Sequence, residues 1–210
     1  MIDIYRIKSG FSNCWLIRET GLILVDSGPK GKEKKVVKRL GKLGIKPEEI
    51  NLIVLTHGHA RHAGGANFFR DEFGTKIAIH PNDRRLAVKK AKGKGFLGKL
   101  LSLASIMKKA KYANISPDVE LFEGNRLDEY GVCATILCLP GHARESIGVL
   151  LDDKSFVAGD MLMNLIFPSK SRRAYDFTLL NKSFIRLRML GISRVYPGHG
   201  KPFRFNRISK

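Results

Sequence analysis

Residues 56–65 read Thr56-His57-Gly58-His59-Ala60-Arg61-His62-Ala63-Gly64-Gly65, and they follow the apolar run Leu52-Ile53-Val54-Leu55. A short apolar run closed by a glycine-containing turn predicts a buried strand that delivers the chain into a loop. Three histidines, His57, His59 and His62, lie in that loop. Neutral imidazole is the commonest biological metal ligand, and loops just beyond strand ends are where a rigid scaffold brings distant side chains together. Two further histidines have the same setting. His142 ends Leu139-Pro140-Gly141-His142, and His199 lies in Pro197-Gly198-His199-Gly200. A lone histidine is ordinarily structural, but five in glycine-containing turns after expected strands predict a metal site. The sixth, His80 in Ile79-His80-Pro81-Asn82, has no partner motif and reads as a structural or rim residue.

Working outward, short apolar runs at 2–7, 13–18 and 21–25 predict strands, the last ending at Asp26-Ser27-Gly28. Over 32–43, Val36, Val37, Leu40 and Leu43 share one helical face, with Gly41 and Gly44 at the end and Pro47 beyond. A helix over 66–73 and a buried strand over 76–79 continue an alternation of strand and helix. Residues 82–113 interrupt it: Asn82 can cap a helix, and Phe96, Leu97, Leu100, Leu101, Leu103, Ala104 and Met107 make a basic amphipathic one. This insertion is expected to pack, to act as a lid or to lie on a membrane surface. Strands follow at 119–122, 132–139, 146–151 and 155–158, then a helix at about 179–190 and a last strand at 194–196. Two strand-rich halves, each finishing with a helix, predict two facing sheets covered by helices.

The chain has 210 residues, a usual size for one domain, and 43% hydrophobic with 27% charged residues is a globular composition. One domain, 1–210, is expected. Cys14, Cys133 and Cys138 cannot all pair within the chain and form no CxxC or CxC clip, which argues against a disulfide framework and a thiolate metal site. Neither a basic-then-apolar leader nor an apolar run near the roughly 20 residues of a bilayer span is present, so a cytoplasmic protein is expected. Thirty-eight Lys and Arg against 19 Asp and Glu give a net charge of +19, concentrated at 30–46, 84–111 and 186–210. That excess favours encounters with anions, but without interleaved aromatic residues it reads first as solvated helix faces. The expected partner is a small anionic substrate. Nucleic acid and an acidic membrane surface are the less favoured partners.

Residues 56–65 resemble the THxHxDHxGG turn of the metallo-β-lactamase superfamily, and later landmarks agree in order. Asp26-Ser27-Gly28 is similar to its strand-end Asp-x-Gly, Pro140-Gly141-His142 to its PGH turn, Gly159-Asp160 to its GD turn, and Gly198-His199-Gly200 to its final GHG. The resemblance spans nearly the whole chain, with 82–113 the least matched part. It implies an α/β (α+β) fold: an αββα sandwich of two mixed sheets flanked by helices. It also implies metal ligation by His57, His59 and His142 at one site and by His62 and His199 at a second, with Asp160 bridging both. Zinc, one or two ions, is the implied cofactor, with iron or manganese as alternatives. Three imidazoles leave a tetrahedral zinc one open position for water, whose pKa falls to about 7 there. The implied activity is hydrolysis of an ester, thioester, lactone or phosphoester by metal-bound hydroxide.

Arg61 departs from the pattern, because it stands where the family carries an aspartate ligand of the second metal. A cation about 4 Å from a divalent ion is repelled by roughly 8 kcal/mol at an effective dielectric near 20, a ceiling that a long side chain lowers by turning away. Arg61 therefore either points to solvent beside a weakened second site or turns inward to Asp160 as a fixed positive group with a catalytic role. Asp26 is expected to support the ligand turns through hydrogen bonds or to cap its own turn. Two readings compete with the hydrolase. His57, His142 and Asp160 also compose the two-histidine, one-carboxylate set of non-haem iron, as in the persulfide dioxygenases of the same superfamily. The other is a metal-binding or scaffold module without catalysis.

Overall fold

The computed structural model describes residues 1–83, 92–93 and 113–208. Strands β1 (Asp3–Ser9), β2 (Ser12–Arg18) and β3 (Leu22–Val25) form an antiparallel meander. Helix α1 (Glu33–Gly41) then crosses to β4 (Leu52–Val54), which lies parallel to β3. A single turn, α2 (Ala60–Ala63), and α3 (Ala66–Phe73) lead to β5 (Lys76–Ile79), parallel to β4. A two-residue strand β6 (Lys92–Gly93) precedes β7 (Val119–Glu120), which closes the first sheet in the order β1-β2-β3-β4-β5-β7.

Strands β8 (Ala134–Cys138), β9 (Ile147–Leu151) and β10 (Ser155–Gly159) begin the second sheet. The chain then makes a hairpin of β11 (Leu162–Asn164) and β12 (Pro168–Lys170), and β13 (Arg173–Ala174) pairs with β6. Helix α4 (Phe177–Arg188) is followed by β14 (Arg194–Pro197), parallel to β10, and β15 (Phe203–Arg204). The second sheet runs β15-β14-β10-β9-β8.

Side-chain alternation along the strands builds the layers. In β2, Trp15 and Ile17 face the second sheet while Cys14 and Leu16 face α1 and α3. Strands β3 and β4 repeat this, with Ile23, Val25, Leu52 and Val54 turned inward and Leu24 and Ile53 turned to the helices. From the other side Ile136, Val149, Leu151 and Val157 complete the inter-sheet core, while Leu137, Phe156 and Ala158 meet Leu180, Phe184 and Leu187 of α4. Strands apolar on both faces must be covered twice, and the result is helix, sheet, sheet, helix. Both sheets are mixed.

The observed boundaries shift by a residue or two from the pattern-based ones, and the last helix starts at Phe177 because the Asp176 carboxylate accepts hydrogen bonds from Thr178 N and Leu179 N. The expected helix at 82–113 lies mostly outside the described residues. Its described backbone includes the short strand β6, which periodicity at helical spacing could not announce. Cys14, Cys133 and Cys138 are free, and no described helix is long and apolar enough to cross a membrane.

Candidate metal centre

The parallel strands β3 and β4 end side by side, and their C-terminal loops carry Asp26 and the 56–62 turn into the same corner. Asp26 adopts a left-handed backbone with φ 61° while its N–H donates to Val54 O. That conformation aims its carboxylate into the turn. It accepts hydrogen bonds from Thr56 N at 2.9 Å, from Thr56 Oγ1 at 3.0 Å and from His62 Nδ1 at 2.8 Å. With its proton given to Asp26, Thr56 Oγ1 accepts from His57 Nδ1 at 2.9 Å. One buried carboxylate thus orients two imidazoles so that each presents Nε2 inward.

The second sheet supplies the other half. His142 follows β8 in a turn whose Gly141 has φ 141° and lies where a Cβ would meet Leu180 Cα at 2.4 Å. Only glycine lets this turn rest on α4. His142 Nδ1 donates to Arg173 O at 2.9 Å and lies 3.0 Å from Ser171 Oγ, leaving Nε2 to face inward. Asp160 follows β10, and Gly198 leaves room for it: a Cβ there would lie 2.4 Å from Asp160 Oδ1. His199 Nδ1 donates to Phe11 O at 2.6 Å, which points Nε2 to Asp160 Oδ2 at 3.2 Å.

Two overlapping groupings result. His57, His59 and His142 each offer a ligand atom within 4.8 Å of the others, as do His57, His62 and Asp160. His59 Nδ1 and His142 Nε2 are 3.2 Å apart. The edge of a tetrahedron with metal–nitrogen bonds of 2.0–2.1 Å is about 3.4 Å, so this pair has the spacing that zinc requires. His57 Nε2 is buried without a hydrogen-bond partner, and a buried orphan nitrogen aimed at two other imidazoles fits a metal ligand. Asp160 Oδ2 lies 3.5 Å from His142 Nε2, and Asp160 Oδ1 lies 3.1 Å from His62 Nε2. The latter pair is in charge contact without hydrogen-bond alignment, which leaves His62 Nε2 and Asp160 Oδ1 buried without hydrogen-bond partners.

Electrostatics sort the ligands. Burial, then the neighbouring His62, His59 and His142 imidazoles, push His57 well below the ordinary histidine range. Burial dominates for His59 and His142 too, and all three are neutral at pH 7, the state in which imidazole ligates a metal. Burial also opposes charge on His62, but the Asp160 and Asp26 carboxylates overcome it and raise its pKa to about 10. An ion bound at His62 must exchange with that proton. Asp160 is buried against its charged form, yet the His199 and His62 imidazoles hold its carboxyl well below the usual range.

Arg61 is exposed on α2, and its carbonyl accepts from Ser12 Oγ at 2.7 Å. Among the described residues Asp160 is ion-paired with His62, His142 and His199 and not with Arg61, so the structure takes the solvent-facing alternative. The guanidinium stays in the neighbourhood: after burial, its charge is the main cause that lowers the Arg173 pKa. His80 stands apart, its Nδ1 accepting from Asn82 N at 3.3 Å and its ring 5.8 Å from that of Phe122.

Asp83 was not signalled by any motif. It is fully buried, and its carboxylate Oδ2 accepts from Gly58 N, between His57 and His59. It thereby holds the turn that carries two of the candidate ligands. Burial pushes its carboxyl up to about 6. Replacing Asp83 with Ala leaves the buried Gly58 N–H unpaired and is expected to weaken metal affinity about 10- to 100-fold, with Asp83→Asn recovering much of it. Competition with a chromogenic chelator measures this; unchanged affinity in Asp83→Ala would show that the turns hold themselves. Ser171 was equally silent in the sequence, since a serine beyond a hairpin carries no pattern.

A family model for the metallo-beta-lactamase superfamily matches residues 7–199, and the chain belongs to that superfamily. It is 30% identical to the probable metallo-hydrolase YqjP of Bacillus subtilis over 90% of this chain; the chain spans 66% of that relative's length. It is 26% identical to hydroxyacylglutathione hydrolase GloC of Haemophilus influenzae, covering 95% of this chain and 90% of that one. The crystal structure of TTHA1623 in a di-iron-bound form superposes with a TM-score of 0.70 at 24% identity, covering 97% of this chain and 95% of that one.

Proposed function

We propose that the protein is a metal-dependent hydrolase of a small anionic ester or thioester, within a range that includes lactones and phosphoesters. The observation that carries this reading is the convergence of three neutral imidazoles, one with an orphan buried Nε2, beside an ionised carboxylate. His57, His59 and His142 would hold an ion, with zinc the expected one, and such an ion would supply an acidified water and polarise the scissile oxygen.

The chain's own groups do the positioning. Thr56, itself held by Asp26, and Arg173 O hold the tautomers of His57 and His142, so that lone pairs and not N–H groups face the centre, while Asp26 orients His62, whose proton an ion would have to displace. Asp160, held ionised by His199 and His62, is too weak a base to take a proton at neutral pH and would instead accept a hydrogen bond from a water beside the centre. Arg173 sets a cation beside the centre, near enough to His59 and Asp160 to act on both, which supports an anionic substrate. The name of the Haemophilus influenzae relative, a hydroxyacylglutathione hydrolase, supports an acyl substrate.

A second reading, an iron-dependent dioxygenase using His57, His142 and Asp160, is supported by the di-iron form of TTHA1623. Elemental analysis and a substrate panel separate them. The expected result is about one zinc per chain and turnover of an acyl ester or thioester that falls on chelation and returns with zinc. Iron with oxygen uptake selects the dioxygenase; bound metal without turnover of any kind defeats both.

A further inference from the structure

Residues 30–46 hold eight of the chain's Lys and Arg and a single carboxylate, Glu33. Folding sorts them by face. Val36 and Leu40 turn inward to join Ile7 and Leu16, while Lys34, Lys35, Lys38, Arg39 and Lys42 all stand exposed along the outside of α1 and its C-cap. Lys34, Lys38 and Lys42 follow one another at four-residue spacing, and Lys35 and Arg39 make a second row beside them. Like charges at that spacing weaken a helix, and carboxylates interspersed among them are the ordinary remedy. Helix α1 lacks it. The Glu33 carboxylate is turned back to accept from Gly31 N at 2.8 Å. Among the described residues the ion pairs of Arg18, Arg70, Arg126 and Arg186 lie on other parts of the chain, and no cation of 30–46 has one. The edge strand beside the helix adds to the excess: Lys8 is exposed on β1, and burial, then the Arg39 charge, lower the Arg6 pKa.

The five cations from Lys34 to Lys42 are spread over about 12 Å of helix axis, or one per about 3 Å. Each strand of duplex nucleic acid carries one phosphate per about 3.4 Å of its axis. We infer that this face of α1 binds the phosphate backbone of duplex nucleic acid, as a holding surface separate from the metal centre. Other anionic occupants fit it less well. A bilayer surface takes up apolar residues among its headgroups, and the face offers only Leu43 at its far end, 36% exposed. An acidic protein needs an apolar interface core, which is missing for the same reason. Single strands are held by aromatic side chains on which bases stack, and 30–46 contains none. Because β3 and β4 are parallel, α1 runs back between them, away from the strand ends that carry Asp26 and the 56–62 turn. Binding on this face therefore needs neither a metal ion nor turnover.

The test is fluorescence anisotropy of labelled duplexes of about 20 base pairs, one DNA and one RNA, titrated with the zinc-loaded full-length chain between about 50 and 200 mM KCl. Log affinity falls with log salt by roughly 0.9 per neutralised phosphate, so four or five contacts give a roughly 150- to 500-fold loss across that range. Lys34→Gln, Lys38→Gln and Lys42→Gln together should shrink the slope by about 2.7 and lower affinity at 100 mM salt on the order of 100-fold. The charge-keeping triple Lys34→Arg, Lys38→Arg and Lys42→Arg should keep the slope. Lys182→Gln, Arg188→Gln and Arg194→Gln remove the same charge from exposed positions elsewhere, and salt screening should hold their combined effect below about fivefold. Zinc content should stay level throughout, and a circular dichroism melt checks the fold. Binding of both duplexes, or of one only, supports the face and identifies the nucleic acid it takes. No duplex binding by the wild-type chain overturns the proposal, as does an equal loss in the two glutamine triples, which would make net charge the whole effect. Binding to phosphatidylserine vesicles without binding to either duplex overturns it in favour of a membrane surface.

Discussion

Replacing His142 with Ala is expected to remove most of the metal that the purified protein retains and to lower hydrolytic turnover at least about a thousandfold. Three neutral imidazoles make up the complete set at His57, His59 and His142, and two ligands are too few to hold a zinc ion against dilution and chelators. The loss is not one of stability alone. His142 is 5% exposed and donates to Arg173 O, so alanine leaves one carbonyl and one small void, a cost of about 1–3 kcal/mol. A domain of this size survives that change, and chemical denaturation should show it still folded. His80→Ala is the matched control, because His80 is also buried but contacts Phe122 and Asn82, outside both metal groupings. Metal content after dialysis, read by elemental analysis, should fall in His142→Ala and His59→Ala and stay level in His80→Ala. Equal loss in all three would mean that the three-imidazole grouping is not what binds.

The contrast between His142 and His80 also shows which features of the centre are legible in the amino-acid sequence. Histidines announce themselves, and a glycine-containing turn after an apolar run places them at a strand end. The order of the turns, from Asp26 to His199, carried the sandwich as well, because strands of Val, Ile and Leu with few polar interruptions must be covered on both faces. Residues that act through backbone groups were not legible. Asp83 serves the centre by accepting from Gly58 N, and Arg173 by offering its carbonyl to His142. Neither role leaves a spacing or a residue-type signature, since any acceptor in the right place would do. The β11–β12 hairpin was missed for a related reason. Leu165-Ile166-Phe167 has the composition of a buried strand, yet it is the exposed tip between two short ones. Apolar sequence predicts burial in a core, and it misleads where the apolar surface is kept for something else.

Arg61→Asp is expected to raise metal content from about one ion per chain toward two and to increase turnover of the same acyl substrates several-fold. The structure lowers the electrostatic ceiling set by sequence alone, because Arg61 is exposed and turned from Asp160. Its charge nevertheless adds to burial in lowering the Arg173 pKa, and it directly precedes His62 in α2. An aspartate there replaces repulsion by attraction and adds an oxygen ligand next to His62 and Asp160, whose facing atoms Nε2 and Oδ1 are 3.1 Å apart. His62 now holds a proton through Asp160 and Asp26, so binding of the second ion should also release protons, detectable as a buffer-dependent heat in calorimetry. Arg61→Ala separates the two contributions: removing repulsion without adding a ligand should give a smaller rise in metal content. A second ion without added turnover would show that the missing carboxylate does not limit the chemistry. A fall in turnover, with KM rising for anionic substrates and not for neutral ones, would instead make Arg61 a substrate-binding group, and the single-ion centre the working form of the enzyme.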